Sequence, residues 1–136
     1  MKKNSIAVIG AGKWGSALHF ALSQKQEVFI TSRTPRDVKN FVDLQTALEC
    51  EYLVIAIPAQ EIRAWLKENF VFNGQKILVA SKGIEASSGE FLNEIYAPFV
   101  PEKNAKYPAL LLFFHFFQED VLLYPGVLHK PLCYQL

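Results

Sequence analysis

The stretch that most constrains the fold of this chain is AVIGAGKWGSAL, from Ala7 to Leu18. Ile6 to Ile9 are continuously apolar and rich in β-branched residues, which reads as a buried parallel strand. Gly10, Gly12 and Gly15 follow at once with the spacing G-x-G-x-x-G. Trp14, Ala17, Leu18, Ala21 and Leu22 then recur at helical intervals to about Ser23. Glycines alone are weak evidence, but a strand before them and a helix after them make a phosphate cradle the natural reading. Gly10 permits the tight turn, Gly12 lets backbone approach a pyrophosphate, and Gly15 allows the helix to pack closely on the sheet. The helix start offers free N–H groups and a positive dipole end to the same phosphate.

The pattern repeats along the chain. Val28-Phe29-Ile30-Thr31 reads as a second strand. Thr34-Pro35-Arg36-Asp37 reads as a capped helix start, with a short helix to about Phe41. Val42-Asp43-Leu44 is expected as a brief strand and Thr46 to Glu49 as a helical turn. Tyr52 to Ile57 is a buried strand stopped by Pro58, and Glu61, Ile62, Trp65, Leu66 and Phe70 outline an amphipathic helix. Lys76 to Ala80 form another strand, followed by SKGIE, and Ser87-Ser88-Gly89-Glu90 opens a helix to Tyr96. Alternating strands and helices predict an α/β fold, a Rossmann-like doubly wound parallel sheet, over residues 1–104. From 105 to 136 the sequence becomes a dense run of aromatics and leucines without helix or strand period. Leu110 to Phe114 is its one candidate strand.

Composition narrows the function. A chain of 136 residues fits one domain, and a net charge of +1 argues against nucleic acid or an anionic membrane as the main partner. Cys50 and Cys133 match no metal-ligand or disulfide spacing. The first apolar run is too short for a signal peptide, and no segment approaches the ~20 residues that span a bilayer. The chain therefore reads as cytoplasmic, with no metal.

Two positions refine the nucleotide reading. An NAD-selective domain places an acid about twenty residues after the glycines, on the ribose 2′-hydroxyl. Here that place reads ITSRTPR, with Arg33 and Arg36 and no acid. A guanidinium can pair with a 2′-phosphate or stack on adenine, so NADPH is expected over NADH, with Arg33 the stronger candidate and Arg36 read as a solvated charge. Pro58, at a strand's carboxyl end, either walls the nicotinamide half or only ends the strand. Lys82, at the next strand end, can hold an anionic ligand or polarise a carbonyl. His19 reads as structural or exposed, Trp65 as core, and neither His115 nor His129 has an orienting carboxylate at a readable spacing.

IAVIGAGKWGSALHFALS, the SR after the second strand, LVIAIPAQ and LVASKGIEASSGEFLNEI occur in that order. Together they resemble the amino-terminal half of bacterial NAD(P)-dependent glycerol-3-phosphate dehydrogenases, over about Lys3 to Asn104. The resemblance implies an oxidoreductase that reduces dihydroxyacetone phosphate to sn-glycerol 3-phosphate, the backbone precursor of phospholipids. It implies that Gly10, Gly12 and Gly15 hold the pyrophosphate, with Lys13 and Trp14 lining the cofactor. Arg33 would meet the adenosine end, Pro58 would lie beside the nicotinamide, and Lys82 would reach both cofactor and substrate. That family continues with a substrate loop and a helical second domain bearing the principal acid/base lysine, for which residues 105–136 offer no counterpart. The expectation is a truncated or frame-shifted product, inactive alone, with homodimerisation left open. A dinucleotide-binding module or remnant, and another reductase sharing the nucleotide domain, are the alternatives.

Overall fold

The computed structural model describes residues 2–107. Their elements run β1 (Lys2–Ile9), α1 (Lys13–Ser23), β2 (Val28–Thr31), α2 (Leu44–Leu48), β3 (Cys50–Ile55), α3 (Ala59–Asn69), β4 (Lys76–Val79), α4 (Leu92–Tyr96) and β5 (Ala105–Lys106). A 3-10 turn at Glu102–Asn104 leads into β5. The strands form one parallel sheet in the order β2-β1-β3-β4-β5. This is the Rossmann-like α/β architecture expected from the alternating pattern.

The chain winds from β1 outward to β2, then passes back beyond β1 to β3. The direction of winding thus reverses between β1 and β3, and open α/β sheets bind ligands outside the carboxyl ends of their strands at such a reversal. Register sharpens the point. Ile9 lies level with Thr31 on one side and Ile55 on the other, and Ile55 with Val79. Gly10, Ser32, Ala56 and Ala80, the next residues along, therefore share one edge.

Strand alternation divides the core between the two faces. Ala7, Ile9, Leu53, Ile55, Ile77 and Val79 pack with Ile62 and Leu66 of α3 and with Leu92, Ile95 and Tyr96 of α4. Ile6, Val8, Val28, Ile30, Val54 and Leu78 pack with Leu18 and Leu22 of α1 on the other face. Each fully buried aliphatic side chain stabilises by roughly 1.5–3 kcal/mol. His19, on the sheet side of α1, is buried and donates from Nε2 to the Val28 carbonyl at 2.7 Å, so its role is structural.

Several local expectations give way to competing hydrogen bonds. No helix forms after Thr34. Instead Ile30 N–H donates to the Asn40 carbonyl at 3.1 Å, and Val42 N–H donates to the Ile30 carbonyl at 2.9 Å. Asn40 sits at φ +62°, a left-handed conformation that ends helical winding. The strand expected at residues 42–44 shrinks to one bridge between Phe41 and Ile30. Asp43 becomes the cap of α2, accepting from Thr46 N–H at 2.7 Å. Ser87 to Glu90 form a turn rather than a helix start. Gly89, at φ +74°, donates to the Glu85 carbonyl, and α4 begins only after Phe91, whose N–H is taken by Glu94 at 2.8 Å. Ala105 and Lys106, just past the expected boundary at Asn104, join the sheet beside β4. The candidate strand at residues 110–114, His115, His129 and Cys133 lie outside the described residues. Among the described residues no helix is long and apolar enough to cross a membrane.

Candidate functional site

The glycines after β1 serve different masters. Gly10 has φ +111°, and a Cβ there would stand 2.8 Å from the Ala56 carbonyl oxygen. A Cβ on Gly15 would stand 1.9 Å from the Gly10 oxygen and 3.4 Å from the Ala56 Cβ. Gly10 and Gly15 thus let β1, β3 and α1 close on one another. Gly12 differs. Its φ of −74° suits any residue, and among the described residues a Cβ on it would meet nothing within 4 Å. The fold does not need a glycine at that position.

Open space above Gly12 coincides with an unfinished helix end. Gly12 is the N-cap of α1 and offers no side-chain bond to the first turn, which also contains no acid. The N–H groups of that turn have no intrahelical acceptors, and the helix dipole adds positive potential. Lys13 stands in the same turn, exposed. A dinucleotide pyrophosphate fits this cradle, which a Cβ at Gly12 would fill.

Trp14 carries the cradle across to β4. Its indole Nε1 donates to the Ala80 carbonyl at 2.9 Å, and the Lys82 ammonium lies 5.0 Å from the centroid of its ring, a cation–π contact. The structure thus brings together Gly10, Gly12, Gly15, Trp14 and Lys82. Pro58 lies at the same edge as the N-cap of α3, exposed, with φ −53°. Arg33 lies two residues past β2 and reaches Glu61 of α3, Nη1 to Oε1 at 3.5 Å, while itself largely in solvent. Arg36 is exposed in the loop that follows. Trp65 is half-buried against the core and packs on Phe70 with ring centroids 6.2 Å apart.

A second group of polar side chains was not legible as functional in the sequence. The loop after β4 is held at both ends. Ser81 Oγ donates to the Ile57 carbonyl and lies 3.4 Å from that of Ile55. Further on, the Gln60 amide accepts from Ala86 N–H at 2.7 Å and donates to the Ile84 carbonyl at 2.8 Å. Between those two contacts Glu85 is buried. Arg63 Nε lies 3.1 Å from each Glu85 carboxylate oxygen, its Nη2 also meets Glu90, and Ser88 Oγ donates to Glu85 at 2.6 Å. Hydrogen bonds from Arg63, then from Ser88, hold the Glu85 carboxyl below its usual range. The same carboxylates hold the Arg63 guanidinium more firmly charged. The available signal was the i, i+3 spacing of Gln60 and Arg63, which puts both on one face of α3.

With this geometry in view, the likeness to known proteins is direct. The family described as NAD-dependent glycerol-3-phosphate dehydrogenase N-terminus matches residues 30–110, more than half of the chain. The chain belongs to this family. The glycerol-3-phosphate dehydrogenase [NAD(P)+] of Sulfurimonas denitrificans is 65% identical over 101 residues, covering 74% of this chain and 34% of the relative. That of Campylobacter jejuni serotype O:6 is 62% identical over 99 residues, 73% of this chain and 33% of the relative. The chain thus spans about one third of the length of these relatives. Among solved structures, glycerol-3-phosphate dehydrogenase from Coxiella burnetii superposes with a TM-score of 0.58 at 24% identity, covering 76% of this chain and 39% of that one. A ketopantoate reductase from Staphylococcus aureus gives 0.53 at 17% identity, covering 76% of this chain and 41% of that one. At these identities the structures support the fold alone. They agree with the parallel sheet described above.

Proposed function

We propose that this chain is the dinucleotide-binding part of an NAD(P)-dependent glycerol-3-phosphate dehydrogenase, and that it prefers NADPH to NADH. The observation that carries the reading is Gly12. It is a glycine with an ordinary φ and empty space above it, at the uncapped start of α1. The pyrophosphate would lie there, on the first-turn N–H groups, with Lys13 and Trp14 lining it. Arg33 would take the 2′-phosphate. Pro58 would flank the nicotinamide half, and Lys82 would stand between cofactor and substrate.

The nicotinamide, when bound, supplies the reducing equivalent for the keto carbon of dihydroxyacetone phosphate. The chain's own contribution is binding and orientation. Lys82, steadied by the Trp14 ring, can donate a hydrogen bond to the substrate's carbonyl oxygen or hold its phosphate. Proton transfer by a general acid contributes about 10²–10⁴-fold, and no residue of the 136 is assigned that role. The 136-residue polypeptide is therefore expected to bind the cofactor without measurable turnover.

Replacing Trp65 with Phe leaves Trp14 as the sole tryptophan. Titrating that protein with NADPH and NADH should change Trp14 emission saturably, at lower concentration with NADPH. Silence with both dinucleotides would overturn the binding reading. NADPH oxidation by the purified chain with dihydroxyacetone phosphate would overturn the expectation of no turnover.

A further inference from the structure

We propose that Gln60 and Arg63 of α3 are positioning residues that aim Lys82 at Trp14 and so into the dinucleotide crevice. This inference rests on the role assigned to Lys82 above. Lys82 and Gly83 form a short span suspended between two anchorages. On one side Ser81 is tied to the Ile57 carbonyl. On the other, Gln60 clasps the backbone on either side of Glu85, at Ile84 and Ala86. Gly83 is the joint between them, with φ +95° and, among the described residues, nothing within 4 Å of where a Cβ would be. No described side chain packs on that side of the joint, and its direction follows from the anchorages.

The Arg63–Glu85 pair fits the same role. A buried carboxylate contributes little net stability when its desolvation is weighed against its pairing, whereas its geometry is tightly specified. The two-pronged contact from Arg63 fixes Glu85 in angle as well as distance. Glu85 lies three residues after Lys82, so a rotation of the loop about Gly83 must break this contact or carry α3 with it. Because Pro58 is the N-cap of α3, the same helix borders the crevice and sets the loop that points into it.

The test uses the 136-residue chain with Trp65 replaced by Phe. Trp14 emission and its quenching by acrylamide are measured without ligand in this parent, in Lys82→Ala, Gln60→Ala and Arg63→Lys, and in each pair with Lys82→Ala. Gln60→Ala removes only two bonds at the surface, and thermal unfolding checks that it folds. The expected result is that Gln60→Ala and Arg63→Lys move the Trp14 signal toward that of Lys82→Ala, yet move nothing when Lys82 is already alanine. NADPH affinity should fall about threefold or more with Gln60→Ala in the presence of Lys82 and stay level in its absence. A merely structural role would lower the unfolding temperature and leave Trp14 unchanged. Unchanged emission in both variants, or an equal loss of affinity with and without Lys82, overturns the proposal. Failure of the parent to bind NADPH would count against the proposed function, while ligand-free emission still decides the positioning role.

Discussion

Gly12 and Gly15 lie three residues apart, yet substitution should separate them cleanly. Gly15→Ala forces a methyl group to within 1.9 Å of the Gly10 oxygen, so backbone must move. The expected loss of stability is about 3 kcal/mol or more, read from urea midpoints. Gly12→Ala should change stability by about 1 kcal/mol or less, the difference between a glycine and an alanine N-cap. It should nonetheless weaken NADPH binding, because its methyl enters the space assigned to the pyrophosphate. Equal effects of the two substitutions on stability would contradict the division of labour. At the end proposed for the adenosine, Arg33 faces a carboxylate of its own chain, Glu61. A 2′-phosphate must displace or share that partner. Arg33→Ala should lower NADPH affinity about tenfold and leave NADH nearly unchanged, as expected for the loss of a charged hydrogen bond. Glu61→Gln should move the ratio toward NADPH by a smaller factor, since exposed ion pairs are weak. Paired titrations of both dinucleotides measure each effect.

The elements differ in how plainly the sequence announces them. Strands at residues 6–9, 28–31, 52–55 and 76–79 are mostly apolar runs, and each reads as a strand before any tertiary contact is known. The Thr34 segment misleads because its capping residues are sound locally. The competing bonds to Ile30 come from a different element. The Gln60–Arg63–Glu85 group is hidden for the same reason. Its partners stand 22 to 27 residues apart, and no local spacing records them. The glycine turn from β1 into α1 was legible because Gly10, Gly12 and Gly15 fall within one βα unit. Two predictions belong to these elements. Glu85 has a folded pKa below its ordinary value of 4.5, set chiefly by Arg63 and next by Ser88. The unfolded chain therefore takes up its proton first, so the pairing stabilises fully above the ordinary value and is lost as pH falls through the folded one. Urea midpoints should decline through acid pH below about 5, and Glu85→Gln should flatten that decline. On α4, the Tyr96 hydroxyl is buried and has no hydrogen-bond partner among the described residues. Burial, and next the charge of Tyr107, push its ionisation well above the usual 10. Tyr96→Phe should therefore stabilise the chain by about 1 kcal/mol in the same assay. A loss of that size would reveal a partner for the hydroxyl.

At the scale of the molecule, binding and stability are linked. A dinucleotide that binds only the folded sheet adds about 2.7 kcal/mol at a concentration one hundred times its Kd. Differential scanning fluorimetry should therefore show NADPH raising the unfolding temperature by several degrees, and NADH raising it less at equal concentration. An unfolding temperature indifferent to both would contradict dinucleotide binding at the Gly12 turn. The outer side of β2 carries a different consequence. Along this four-residue strand the Val28 carbonyl is taken by His19, and both backbone groups of Ile30 are taken by residues 40 and 42. Uncovered strand margins recruit strands from other molecules. Here an incoming chain would find the Ile30 N–H and carbonyl and the Val28 carbonyl already engaged. Sheet-to-sheet growth between copies would first have to break these bonds, so the irregular loop also shields the β2 margin from strand addition.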